Sequence, residues 1–163
     1  MAESYDPRIC LREIIGTPYA IKEDSWEEQS CVTIENNGDT LPIPIYLSEE
    51  VQSLDAPSMP FIDIKLMLVN YTPHDIGALT RKHEAYLDVG VWFTHSDDVD
   101  STTFGKKIID KIQDQIRTTQ ENCGFYDCHI DFINLRSVRY IEETQGRQVI
   151  YRYVLEIYCI YYD

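Results

Sequence analysis

Apolar residues recur every four positions between Asp100 and Thr119, where Phe104, Ile108, Ile112 and Ile116 form one stripe and Lys106, Lys107, Lys111, Asp114 and Arg117 take the remainder. A spacing this close to the helical turn predicts an amphipathic helix, and Asp100 and Ser101 supply side-chain oxygens that accept from free N–H groups of its first turn. After Gly124 the period changes to two. Ile130 to Glu142 and Gln148 to Tyr162 read as strands joined by the turn Glu143-Thr144-Gln145-Gly146-Arg147, which predicts a long antiparallel hairpin.

The same alternation predicts two strands upstream. Over Phe61 to Tyr71, Ile62, Ile64, Leu66 and Leu68 fall on one face and Asp63 and Lys65 on the other. Over His83 to Thr94, Ala85, Leu87, Val89, Val91 and Phe93 alternate with Tyr86, Asp88, Gly90 and Trp92. The segment between them, Asn70 to Lys82, reads as a loop too long for a tight hairpin. Long loops on rigid sheets commonly serve contact with something else. Leu41 to Leu47 is strand-like but holds Pro42 and Pro44, which lack the N–H a sheet interior uses, so it is expected at an edge. Ser48 to Pro60 reads as a loop.

At the start of the chain, Asp6 as N-cap, Pro7 at the first helical position and Gly16 as the stop predict a short helix with Ile9, Leu11, Ile14 and Ile15 on its apolar side. Thr17 to Asp39, with Trp26, the Val32-Thr33-Ile34 triplet and an Asn36-Asn37-Gly38-Asp39 turn, reads as an irregular extension with one short strand. The chain is therefore expected to form a single α+β domain over 1–163. Residues 1–40 would be an N-terminal helix and extension, and 41–163 the core, a mostly antiparallel twisted sheet of four to five strands packed by one amphipathic helix. The last strand is apolar on both faces. Val149, Tyr151, Tyr153, Leu155, Ile157, Cys159 and Tyr161 line one, and Ile150, Val154, Tyr158, Ile160 and Tyr162 the other. Such a strand wants two cover layers, and one helix supplies one; the N-terminal helix could supply part of the second, and a neighbouring subunit is the favoured source.

Composition narrows the classes. The 163 residues are 44% apolar, enough to build a core, and no run is long enough to suggest a membrane span. The Met-Ala-Glu-Ser-Tyr-Asp-Pro start has neither the basic nor the apolar region of a signal peptide, so folding in a cytoplasm is expected. Cys10, Cys31, Cys123, Cys128 and Cys159 are odd in number and scattered, which favours reduced thiols. Cys123, Cys128 and His129 lack the second pair that would complete a tetrahedral zinc site. The net charge of −14 argues against gripping a nucleic-acid backbone. It is unevenly placed: residues 1–100 hold 19 acidic and 6 basic groups (19 − 6, net −13), residues 101–163 hold 9 and 8 (9 − 8, net −1). Two surfaces of unlike polarity suit head-to-tail association or the wall of an aqueous passage, while solubility alone accounts for an acidic surface equally well.

No catalytic constellation emerges. Four histidines, His74, His83, His95 and His129, are available as acid–base groups. The richest cluster is His95, Asp97, Asp98 and Asp100, at the junction of a strand and the long helix. Its oxygens suit a hard cation, but the calcium-loop spacing is missing, and carboxylates there also favour the positive end of the following helix. No phosphate-cradling glycine loop, Gly-x-Gly-x-x-Gly or Gly-x-Ser-x-Gly is present. The chain is read as a non-enzyme with no catalytic, cofactor or metal residues assigned. Seven of the twelve tyrosines, Tyr126, Tyr140, Tyr151, Tyr153, Tyr158, Tyr161 and Tyr162, fall in the last 40 residues, where they suit either sheet packing or a protein interface.

The order of elements from Leu41 to Asp163 resembles that of the tail-terminator and tail-completion proteins of long-tailed phages, the lambda tail terminator and related head-to-tail joining proteins among them. Met59-Pro60-Phe61-Ile62-Asp63-Ile64 is similar to the first core strand, and Tyr86-Leu87-Asp88-Val89-Gly90-Val91-Trp92-Phe93 to the strand before the helix. Thr103-Phe104-Gly105-Lys106-Lys107-Ile108-Ile109-Asp110-Lys111-Ile112 is similar to the helix packed on the sheet, and Arg147 to Tyr161 to the final strand. The likeness rests on arrangement rather than on signature residues, and the first 40 residues depart from it. It implies a virion protein of the tail or neck, assembled in the host cytoplasm as a homo-oligomeric ring, a hexamer, that ends tail-tube growth. Its implied partners are the tail-tube protein and a neck or connector protein, with DNA passing the lumen unbound and no membrane involved. The loop from Asn70 to Lys82 would reach the tube or the connector. A tail-tube or baseplate component and a non-viral oligomeric binding module are the alternatives.

Overall fold

A computed structural model describes residues 6–20, 28–53, 59–73, 80–94, 101–122 and 130–162. The chain is α+β. Helix α1 (Pro7–Ile15) is followed by strands β1 (Thr17–Ala20), β2 (Glu28–Asn36) and β3 (Asp39–Leu47) and a short helix α2 (Ser48–Ser53). Strands β4 (Phe61–Pro73) and β5 (Arg81–Thr94), helix α3 (Ser101–Asn122), and strands β6 (Ile130–Gln145) and β7 (Gln148–Tyr162) complete it. All seven strands join one sheet in the order β1-β2-β3-β4-β5-β7-β6. Every neighbouring pair is antiparallel except β3 and β4.

The sheet is thus larger than the four to five strands expected from the sequence. The added strands come from Thr17 to Asp39, which is β1, β2 and the turn into β3 rather than an irregular extension. Asn37 and Gly38 both have positive φ, 52° and 84°, the backbone of a type I′ hairpin turn. The turn and its second arm were visible in the sequence, and the first arm only as a short strand, because β2 mixes polar and apolar residues without a long alternating run. The proline-bearing segment is also corrected, from an edge strand to β3, which lies between β2 and β4. Pro42 and Pro44 are two residues apart, so both missing N–H groups lie on one side of the strand, and pairing with β4 begins only at Ile45. The expected loop from Ser48 begins instead with α2, where Ser48 Oγ donates to the Ile64 carbonyl at 3.0 Å.

Two helices cover one face of the sheet. The α3 stripe is as expected: Phe104, Ile108 and Ile112 are at most 2% exposed and Ile116 is partly buried. Opposite lie Ile43, Ile45, Ile62, Ile64, Leu87, Val89, Val91, Leu155 and Ile157, all fully buried, and α1 adds Leu11, Ile14 and Ile15 to the same core. Burying each such side chain stabilises the fold by about 1.5–3 kcal/mol. The α1 start is built as its sequence predicts, with Asp6 accepting from the Arg8 N–H at 2.9 Å and Pro7 at the first turn. Arg8 and Arg12 then tie α1 to Glu49 and Glu50 of α2.

One strand departs from its predicted facing. A bulge between Leu66 and Leu68 shifts the β4–β5 register, so Leu66 stays opposite Leu87 while Leu68 faces Tyr86 on the other side and is 52% exposed. An extra residue exchanges the faces of everything beyond it, and Val69 takes the core-facing place opposite Ala85. Strand β4 also runs to Pro73 and β5 starts at Arg81, so both ends of the expected Asn70 to Lys82 loop are strand, and residues 74–79 lie outside the described residues. At the other hairpin the turn is shorter than expected, Gly146-Arg147 alone, with Gly146 at φ 63°.

At Gly105 α3 lies close against aromatic side chains of the sheet. A Cβ there would overlap the Tyr153 ring and approach Phe93 Cζ to 3.0 Å. That ring is stacked on Phe93 at 5.9 Å and packed against Tyr140 at 4.9 Å, so it has little room to yield. Gly105→Ala therefore sets a helix-propensity gain of about 1 kcal/mol against an overpacking cost of about 1–3 kcal/mol. The expected outcome is a lower urea midpoint than the parent; an equal or higher one would mean that the ring moves aside.

Candidate interaction surface

The face of the sheet turned away from α1 and α3 is covered in part by its own side chains. Alternation places Tyr46, Phe61, Asp63, Trp92 and Arg152 on this side, and Phe61 stacks on Trp92 with centroids 5.8 Å apart. Arg152 lies over the Trp92 ring, its Cζ 4.4 Å from the centroid, and Tyr46 meets Phe61 edge-on. Trp92 Nε1 donates to Asp63 Oδ1 at 2.8 Å across the space left by Gly90, where a Cβ would collide with that carboxylate. Burial is the main influence on Asp63 and raises its pKa, outweighing the opposing hydrogen bond from Trp92 and the charge of Arg152.

Farther along the strands a second cluster joins three of them. Tyr86 packs on Tyr158 at 5.1 Å, Phe132 meets Tyr158 edge-on, and Arg136 lies over Tyr86. Tyr158 donates to Glu84, and that carboxylate is the first cause pushing the phenol up to about 12. Arg139 reaches from β6 over β7 to Asp88 of β5, 3.5 Å away, and Arg136 approaches Glu156 at 3.7 Å. Long side chains laid flat cover apolar surface with their stems. Val154, between Arg139 and Gly90 in register, is accordingly 1% exposed. The apolar second face of β7 is thus covered in part within the chain.

What the sheet leaves open is its edges. Strand β6 is outermost, so among the described residues one side of a 16-residue strand has no strand neighbour. Phe132, Val138 and Tyr140 on it are 40%, 42% and 45% exposed. A second open edge lies inside the sheet order, because β3 pairs with β4 only from Ile62 to Ile64. Lys65 to Pro73 therefore has no strand partner on that side among the described residues, and it carries exposed Met67, Leu68 and Tyr71. Such edges present rows of backbone donors and acceptors ready to pair with another strand.

His95, Asp97, Asp98 and Asp100, together with His74, Trp26, Cys123, Tyr126, Cys128 and His129, lie outside the described residues. Among the described residues no group of three or more His, Cys, Asp or Glu is placed to hold a metal ion, and no helix is long and apolar enough to cross a membrane. Cys31 and Cys159 are free thiols, and burial pushes Cys31 up to about 11 and Cys159 up to about 12. Sequence reading missed the Asp63–Trp92 contact, although a lone glycine inside a strand, here Gly90, is the ordinary sign of a close approach. It also missed the open edge of β4, for which the sequence carries no signal, since both the bulge and the short β3 contact are tertiary. No protein-family model matches the chain, and no curated protein matches it significantly.

The Asp63 environment fixes a pH dependence. A carboxyl whose pKa is raised on folding contributes stability that is present below its unfolded pKa and lost as pH rises through the folded value. Asp63→Asn keeps an acceptor for Trp92 and removes the charge. The variant is expected to be more stable than the parent at pH 8, with the gap narrowing toward pH 4, in paired urea titrations. A gap that widens on acidification would contradict the burial argument.

Proposed function

We propose that this chain is a structural protein of a tailed virus that assembles as a ring, a hexamer, at the tail end or neck, where it ends the tail tube and joins it to the head connector. In this reading the chain has no enzymatic activity, and its partners are further copies of itself, the tube protein and a neck or connector protein. The observation that carries it is the unpaired outer side of β6, 16 residues long with Phe132, Val138 and Tyr140 exposed. Neither end of this sheet can pair with itself within one chain, and identical subunits arranged head to tail remove such edges when the rotation closes.

Two further properties support it. The order strand, strand, helix, hairpin over β4, β5, α3, β6 and β7 is the arrangement on which the resemblance to tail-terminator proteins rests. The net charge of −14 also suits a wall past which DNA slides, because like charge keeps a polyanion from adhering.

The test is the native mass of the purified chain by light scattering across a concentration series. A discrete species near six subunits, or a monomer converting to it as concentration rises, is the expected result. Open-ended stacking into tubes would point to a tube component instead, and a strict monomer throughout would overturn the ring.

A further inference from the structure

We propose that the sheet continues from one copy of this chain into the next, the outer edge of β6 pairing antiparallel with the outer edge of Lys65–Pro73 in β4 of its neighbour. The inference rests on the ring reading above and names the surfaces that would build it.

Strand polarity selects this pairing. From β4 to β5, β5 to β7 and β7 to β6 the chain direction reverses three times, so β6 runs antiparallel to β4. A second copy placed beside the first in the same orientation brings its β4 against β6 in the antiparallel sense, the more stable of the two ladders per residue. The alternative edge, β1, is only four residues long, Thr17–Ala20. Among the described residues, the stretch of β4 without a strand partner on that side offers nine, against sixteen in β6.

Side chains agree with backbone. On β4 the exposed apolar groups are Met67, Leu68 and Tyr71, and on β6 they are Phe132, Val138 and Tyr140. Each edge has apolar groups on both faces of its strand, Leu68 and Phe132 on the helix-free face, Tyr71, Val138 and Tyr140 on the other. Pairing the edges would cover both sets at once, as cross-strand aromatic and aliphatic pairs do. Charge agrees too. Lys65–Pro73 has Lys65 and no acid, the rarer balance in a chain of net charge −14. On β6 the two cations Arg136 and Arg139 already lie against Glu156 and Asp88, which leaves Asp131, Glu142 and Glu143 to dominate what a neighbour meets. A weakly basic edge facing a weakly acidic one lets two acidic molecules approach without a like-charge clash.

Hydrogen exchange read by mass spectrometry tests the pairing on the full unmodified chain, at concentrations where light scattering reads monomer and where it reads assembly. On assembly, amides of Lys65–Pro73 and of β6 are expected to slow together by about tenfold or more, while central β5 amides, already paired on both sides, change little. Assembly with neither segment slowed, or with only one, overturns this pairing and leaves the ring reading standing. A chain that stays monomeric at every concentration overturns the ring reading and the pairing with it.

Discussion

The structure depends on one constraint: a seven-stranded sheet is packed by helices on a single face. The apolar stripe of α3 and the three buried residues of α1 close that side over the row running from Ile43 and Ile45 through Ile62, Val91 and Leu155. Among the described residues, everything on the opposite face must then find cover without a second layer. The fold answers with side chains long enough to lie across their neighbours, Arg139 over Val154 and Arg152 over Trp92. Burial of Asp63 beneath Trp92 is a consequence of the same solution, because a covered face holds its polar groups at a desolvation cost.

This explains why the tyrosines are concentrated where they are. Tyr86 and Tyr158 sit on the helix-free face, where a ring excludes water and a hydroxyl stays at its boundary, as Tyr158 does against Glu84. Tyr151 and Tyr153 face the other way, stacked with Phe93 at the edge of the α3 footprint. Beyond that footprint the helix layer ends, and Val138 and Tyr140 of β6 are left half open. The exposure of Val138 and Tyr140 thus follows from where the helix layer ends, whereas Ile130 and Ile133 nearer the start of β6 remain in the core.

Much of this was legible in the sequence where a period ran unbroken. The five core positions of β5 from Ala85 to Phe93 and the α3 stripe were placed correctly because nothing interrupts their repeats. Asp6, Pro7 and Gly16 bounded α1 because capping is a local property. Legibility failed where the deciding contact is distant. The β2 segment is polar enough to suggest only a short strand and reaches nine residues because β3 pairs with it; Leu68 follows an apolar alternation and faces outward because the bulge precedes it. The prolines of β3 were read as marks of an edge, a sound inference for a strand paired along its full length, and β3 escapes it by meeting β4 over three residues only.

That short contact also governs what the molecule can do with its edges. Had β3 followed β4 to Pro73, the sheet would present one long open side at β6 and only the stub of β1 at the other, and no neighbour could match it. Because β3 turns into α2 at Ser48, with Glu50 accepting from the Leu47 N–H at 2.7 Å, it leaves β4 after Ile64 and exposes a second long edge of opposite polarity. An open edge on each flank of a four-stranded block is the condition for head-to-tail continuation, whereas an open edge on one flank alone permits only a two-fold pair. The helix start that ends β3 at Leu47, rather than its prolines, which lie opposite the segment before Ile62, is therefore the local feature from which the capacity to build a closed assembly would follow.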